Sequence, residues 1–299
     1  MRFSLSAIFR LLLILALSAG VCAQSRITVE KESAKVETFQ LESRLMSRQM
    51  PYRVVLPKDY KKKREKRYAV VYLLHGLAGH FDNWTDKTKL AAYSLDYDFI
   101  IVTPEGGDGW YTDSATVPND RYESYIVEEL IPEIDKKFRT FAVREKRVIA
   151  GLSMGGYGAL KFGLKYPEKF VLAGSFSGAL SAASVTDKNS TSWIVKSVMS
   201  VFGGEESETR KANDIFGIVR EIPAEKIKDL PFFYLDCGTE DASWIQNNRD
   251  FAQILAERKI PHEYRQLPGA HNWIYWDEQV QEFLRLSQKI TSRAKAKAD

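Results

Sequence analysis

Ser153 stands in Ala150–Leu160, AGLSMGGYGAL, a single serine among four glycines and directly after the apolar run Arg147–Ala150. A Gly-x-Ser-x-Gly spacing alone is a weak signal, and a flexible glycine-rich loop is its bland reading. Context sharpens it. A strand directly before Ser153 and a helix directly after it make a nucleophile elbow, where the serine is held in a strained backbone conformation and its hydroxyl is presented. Gly151 and Gly155 are then expected where a side chain would collide with the crossing backbone. Gly156, Gly158 and Ala159 would let the helix lie close on the sheet.

A serine hydroxyl is a poor nucleophile at neutral pH; it needs a base, and the base needs an orienting acid. The histidines are His75, His80, His262 and His271. In an open parallel sheet the chemistry collects beyond the carboxyl ends of the strands. His271, in LPGAHNW, follows a strand ending at Leu267, whereas His262 begins that strand, at the wrong end. The acid is expected after the preceding strand, where FFYLDCGTED offers Asp236, Glu240 and Asp241. Asp241, beyond the Gly238 turn in a loop expected to face solvent, is the first choice, and Asp236 at the strand end is the reserve. The order Ser153, Asp241, His271 is that of α/β-hydrolases.

Acyl transfer also needs preset donors for the oxyanion, each worth about 3 to 4 kcal/mol of barrier. The Met154 N–H at the start of the helix is one candidate. The second is the Leu77 N–H in VVYLLHGLAGH, after an early central strand, with Gly76 allowing close approach. His75 reads as pinning that loop by hydrogen bonding rather than as catalytic. His75 and His80 lack a third ligand nearby, so no metal is expected, and the chemistry calls for no cofactor.

The elements that must position these residues follow from periodicity. Strands are expected at Lys35–Met46, Tyr52–Leu56, Ala69–Leu74, Phe99–Thr103, Val148–Ala150, Phe170–Phe176, Phe232–Asp236 and Glu263–Leu267. Helices are expected at Ser124–Phe138, Met154–Lys165, Ser243–Arg258 and Glu278–Ile290. Strand–helix–strand alternation in the second half predicts an α/β fold with a mostly parallel central sheet covered on both faces. The early strands, joined by a short basic turn, read as an antiparallel N-terminal edge. Residues 179–230 break the alternation and suggest an insertion over one edge of the sheet.

The chain has 299 residues and a formal charge of +4, yet Lys61–Arg67 alone carries six bases against one acid. Without that solvated turn the remainder is near neutral, so no nucleic-acid surface is expected. Residues 1–23 have the pattern of a signal peptide: basic flanks, the apolar core Leu11–Leu17 and small residues before Gln24. Cleavage after Ala23 would leave a secreted or periplasmic protein with no stable membrane insertion, a domain over 24–291 and a frayed tail at 292–299. It would also remove Cys22, leaving Cys237 as a buried, inert thiol. Nothing in the pattern fixes the oligomeric state.

The segments YLLHGLAGHFDNW, GWYTDS, AGLSMGGYGAL, SFSGAL, CGTED and GAHNWIYW resemble the esterase D family of α/β-hydrolases. That family includes carboxylesterases, S-formylglutathione hydrolases, feruloyl and acetylxylan esterases and the mycolyltransferases of the antigen 85 group. The resemblance runs from about Tyr52 to Leu286 and implies an α/β-hydrolase fold with its serine in GLSMGG, its acid in GTED, its histidine in GAHNW and oxyanion donors at Met154 and Leu77. The expectation is a serine carboxylesterase acting on short acyl or aryl esters of a small molecule or a carbohydrate. An acyltransferase and a non-catalytic binding protein are the alternatives. Trp110 and Trp273 are candidate substrate-binding residues; Asn83 and Asp113 read as structural.

Overall fold

The structure, a computed structural model, describes residues 34–293. The signal peptide expected at residues 1–23, with Cys22, lies outside them, as does the tail beyond Arg293; Ser292 and Arg293 close the last helix.

Eight strands form one sheet: β1 (Lys35–Ser43), β2 (Arg48–Leu56), β3 (Ala69–Leu74), β4 (Phe99–Pro104), β5 (Arg147–Leu152), β6 (Leu172–Phe176), β7 (Phe232–Gly238) and β8 (His262–Leu267). Their order is β1-β2-β4-β3-β5-β6-β7-β8. From β4 to β8 every pairing is parallel, while β1 and β2 form an antiparallel edge. The turn closing that edge is Arg44–Ser47, fastened by the Glu129 carboxylate to the Ser43 hydroxyl and to the Arg44 and Leu45 N–H groups. The basic segment Lys61–Arg67 does something else. It carries the chain from β2 to β3, which are not neighbours, because β4 lies between them.

The central strands β3, β4 and β5 are buried along their whole length. Both faces of the sheet are covered, so the strands read as continuous apolar runs, and each buried aliphatic side chain contributes about 1.5 to 3 kcal/mol. Val70, Tyr72 and Leu74 face one core with Leu160, Phe251 and Leu255. Val71 and Leu73 face the other with Val280, Phe283 and Leu284.

The longer helices are α1 (Ile131–Lys137), α2 (Met154–Lys165), α3 (Trp193–Phe202), α4 (Ile215–Glu221), α5 (Ile245–Glu257) and α6 (Trp273–Arg293). A π-helical stretch, Tyr125–Leu130, precedes α1. Pro132 explains it, since its missing N–H removes one helical donor and frees a carbonyl upstream. Helix α6 begins five residues before the apolar period suggests, because the Asn272 side chain accepts from Tyr275 N–H at 3.1 Å and caps it. The 179–230 segment carries α3 and α4. Within it, Phe202 lies against the rings of Trp110 and Tyr157. No helix among the described residues is long and apolar enough to cross a membrane.

Register decides where the chemistry can gather. Leu74 pairs with Gly151, Gly151 with Ser175, Ser175 with Leu235 and Leu235 with Tyr264. The segments that follow β3, β5, β7 and β8 therefore leave the sheet at one end, side by side.

Candidate active site

Ser153 occupies the residue between β5 and α2 with φ 52° and ψ −115°. This is a costly conformation for a residue with a Cβ, and it persists because the surroundings fix it. The Ser153 N–H donates to Phe176 O at 2.9 Å, and its carbonyl accepts from Tyr157 and Ala179 N–H. The flanking glycines make the turn possible. A Cβ on Gly155 would lie 2.5 Å from Leu74 O, and one on Gly151 would strike the Gly155 backbone. Gly156 lies against Gly178 at the end of β6, but Gly158 faces the Tyr111 ring rather than the sheet.

His271 and Asp241 arrive from the loops after β8 and β7. His271 Nε2 is 3.0 Å from Ser153 Oγ, and His271 Nδ1 is 2.7 Å from Asp241 Oδ2. The two loops are tied to each other: Thr239 N–H donates to Leu267 O and Glu240 N–H to Gly269 O. Asp241 is not solvent-facing as expected. It is 2% exposed, covered by His271 and by Cys237, whose Sγ approaches Asp241 Oδ2 at 3.8 Å. Burial, then the charges of Asp241 and Asp236, push the Cys237 thiol up to about 12, so it stays protonated and can donate to that carboxylate. With Nδ1 donating to Asp241, Nε2 is left as an acceptor aimed at the serine hydroxyl.

Asp236 is elsewhere. It is fully buried at the end of β7, and neither oxygen accepts a hydrogen bond of ordinary geometry. Burial raises its carboxyl to about 7, against the opposing pull of the Tyr234 and Tyr275 hydroxyls and Arg265.

Leu77 follows β3, and neither its N–H nor that of Met154 has a partner among the described residues. His75 holds this loop through both ring nitrogens: Nδ1 meets Gly76 O at 2.8 Å, and Nε2 accepts from Gly106 N–H at 2.8 Å. Neither nitrogen is left for a metal or a proton transfer. Tyr111 completes the brace, its hydroxyl donating to His75 O at 3.0 Å.

A family model described as "Putative esterase" matches residues 43–286. The chain belongs to this esterase family. It is 28% identical over 259 residues to an acetyl esterase of Caldicellulosiruptor saccharolyticus, covering 83% of this chain and 96% of that one. It is 32% identical over 235 residues to an esterase of Mycobacterium tuberculosis, covering 73% of this chain but only 51% of that longer protein. A solved ferulic acid esterase superposes with a TM-score of 0.74 at 28% identity, covering 87% of this chain and 100% of that one. The protein is accordingly an α/β-hydrolase-fold enzyme that acts on ester bonds.

In this esterase, Ser153 and His271 open onto a cleft of about 330 Å³, lined also by Leu77, Trp273, Trp276, Asn83 and Lys87. A larger cavity of about 630 Å³, beside Leu164 and Pro167, lies at the opposite end of α2 and is lined by no serine, cysteine or histidine. Of the two candidate tryptophans, Trp273 lines the cleft and Trp110 does not. Trp110 is 2% exposed with its indole N–H on Ser197 Oγ at 3.0 Å, so no face remains for a ligand. Asn83 contributes its Oδ1 to His80 N–H while lining the cleft. Asp113 accepts from the Ser124 N–H and hydroxyl, away from it. Periodicity did not single out Trp276, Asn272 or Lys87. Trp276 stands edge-on to His271, with ring centroids 4.9 Å apart. The signal for it was the recurrence of aromatics three apart directly after the histidine, in HNWIYW.

Proposed function

We propose that the protein is an exported serine carboxylesterase that hydrolyses short-chain acyl or aryl esters, including acetyl or feruloyl esters on carbohydrate. The carrying observation is the continuous hydrogen-bonded line Ser153–His271–Asp241, with contacts of 3.0 and 2.7 Å. Ser153 Oγ attacks the ester carbonyl as His271 Nε2 takes its proton, and Asp241 holds the imidazole in the tautomer that allows this. The oxyanion accepts from the Leu77 and Met154 N–H groups. Collapse expels the alcohol, protonated by His271. Water, deprotonated by the same nitrogen, then releases the acid from the acyl-enzyme.

A volume of about 330 Å³ sits near the lower end for small-molecule sites and suits a short acyl group or one aryl ring. The His271 side chain keeps 31% of its surface exposed, which favours water over a sugar as acceptor and hydrolysis over acyl transfer. The acetyl esterase and ferulic acid esterase relatives support the carbohydrate-ester reading, and the pattern of residues 1–23 supports export. A panel of p-nitrophenyl esters of graded acyl length, with acetylated xylan and methyl ferulate, tests it. The expected result is a maximum at short acyl chains that Ser153→Ala abolishes. Activity that survives Ser153→Ala overturns the mechanism, and a maximum at long chains overturns the substrate class.

A further inference from the structure

We propose that Lys87 is a specificity-determining residue that selects esters carrying a carboxylate close to the scissile bond. This deepens the esterase reading and rests on the cleft at Ser153 being the ester site. Lys87 lines that cleft together with Ser153, His271 and Trp273. Its ammonium sits 5.3 Å from the centroid of the Trp273 ring, a cation held over an aromatic face. The ring is itself fixed: Trp273 stands edge-on to buried Trp84 at 5.6 Å and to Trp276 at 5.3 Å, and Trp276 stands edge-on to His271. A chain of rigid rings thus runs from the histidine at the serine to the lysine at the cleft wall.

Among the described residues no carboxylate forms an ion pair with Lys87, and the neighbouring acids are held by other partners. Asp86 pairs with Arg53, Asp82 accepts from Asn83 Nδ2 at 2.9 Å, Asp277 accepts from Lys89 N–H and the Tyr93 hydroxyl, and Asp108 accepts from Ala78 N–H. No other residue lining the cleft carries a formal charge besides the titratable His271. A positive charge on the wall of a small cleft favours a bound anion and disfavours a bound cation.

The experiment compares kcat/KM for carboxylate-bearing esters with counterparts in which a neutral amide replaces the carboxylate. 4-Acetoxybenzoate against 4-acetoxybenzamide places the charge on the alcohol side, and monomethyl succinate against methyl succinamate places it on the acyl side. The wild-type enzyme should prefer the carboxylate by about fivefold in at least one pair at low salt, the upper range for a solvent-accessible ion pair. The pair that shows the preference identifies the side. Lys87→Met should bring that ratio to about one, Lys87→Glu should invert it, and high salt should shrink it in the wild type. A ratio unchanged in both variants overturns the selection by Lys87 while leaving the esterase intact. Failure of the wild type to hydrolyse any of the four esters overturns the reading of the cleft itself.

Discussion

His271 Nδ1 lies 2.7 Å from Asp241 Oδ2. The contact is buried on the carboxylate side and half-buried on the imidazole side, so the carboxylate of the proposed acid is fixed by packing and the proposed base faces the cleft. That asymmetry gives the first prediction. Asp241→Asn should cut turnover by about 10⁴-fold, because an amide can hold the wrong imidazole tautomer. It should also cost about 1 to 3 kcal/mol of stability, since the side chain is buried beside Cys237 and His271. Turnover and denaturant midpoint measured on one preparation test both parts; turnover within tenfold of wild type would move the acid elsewhere.

Ser153, the proposed nucleophile, sits in a strained backbone conformation. Its φ of 52° suits glycine better than any residue with a Cβ. Ser153→Ala and Ser153→Gly should both lose about 10⁴-fold or more in ester hydrolysis. The glycine variant should also be more stable than the alanine variant, by about 1 kcal/mol of relieved strain. Equal melting of the two would mean that the elbow stores none.

The proposed oxyanion loop can be tested through its spacing rather than its donors, which are backbone groups. A Cβ on Gly76 would come within 2.6 Å of Leu152 Cδ1 and 3.5 Å of Ser153 Cβ. Gly76→Ala should push the Leu77 N–H out of line with Met154 and lower kcat by about 10²-fold, the loss typical of one oxyanion donor, with KM little changed. A rise in KM at constant kcat would instead assign the loop to ground-state binding.

Much of this arrangement was legible in the sequence because it rests on local signals. The strand before Ser153, the glycines around it and the position of His271 after a strand each leave a mark in types and spacing. All eight expected strands appear, and Met154–Lys165 forms the expected helix. What stayed hidden depends on contacts between distant segments. Nothing near Asp241 announces that His271 and Cys237 will bury it. Nothing near Trp110 announces that Ser197 and Phe202, far along the chain, will cover it. The neighbours of β2 were obscured because the basic segment between β2 and β3 looks like a hairpin turn, although β4 takes the place between them. The early start of α6 was marked by Asn272, a capping residue masked by its position beside the histidine.

Asp236, the other carboxylate of the β7 end, supplies the last prediction. Its carboxyl is raised from 3.8 to about 7 by burial, so the folded protein retains a proton that the unfolded chain releases. Between about pH 4 and pH 7 the native state therefore binds more protons than the unfolded state, and stability falls as pH rises through that window. The contribution is fully present below the unfolded value and is lost once pH exceeds the folded one. Asn keeps the shape and cannot ionise. Asp236→Asn should therefore be near wild-type stability at pH 5 and gain on the wild type by about 2 to 4 kcal/mol at pH 8.5, because each pH unit between the unfolded and folded values carries about 1.4 kcal/mol. Contributions of titrating groups that do not interact with Asp236 cancel in that difference. Because Asp236 touches neither His271 nor Ser153, turnover should stay within a few-fold of wild type, opposite to Asp241→Asn. Denaturant unfolding of both proteins at the two pH values decides it: a stability difference independent of pH would show that the buried carboxyl is already charged in the folded state, held by the hydroxyls of Tyr234 and Tyr275.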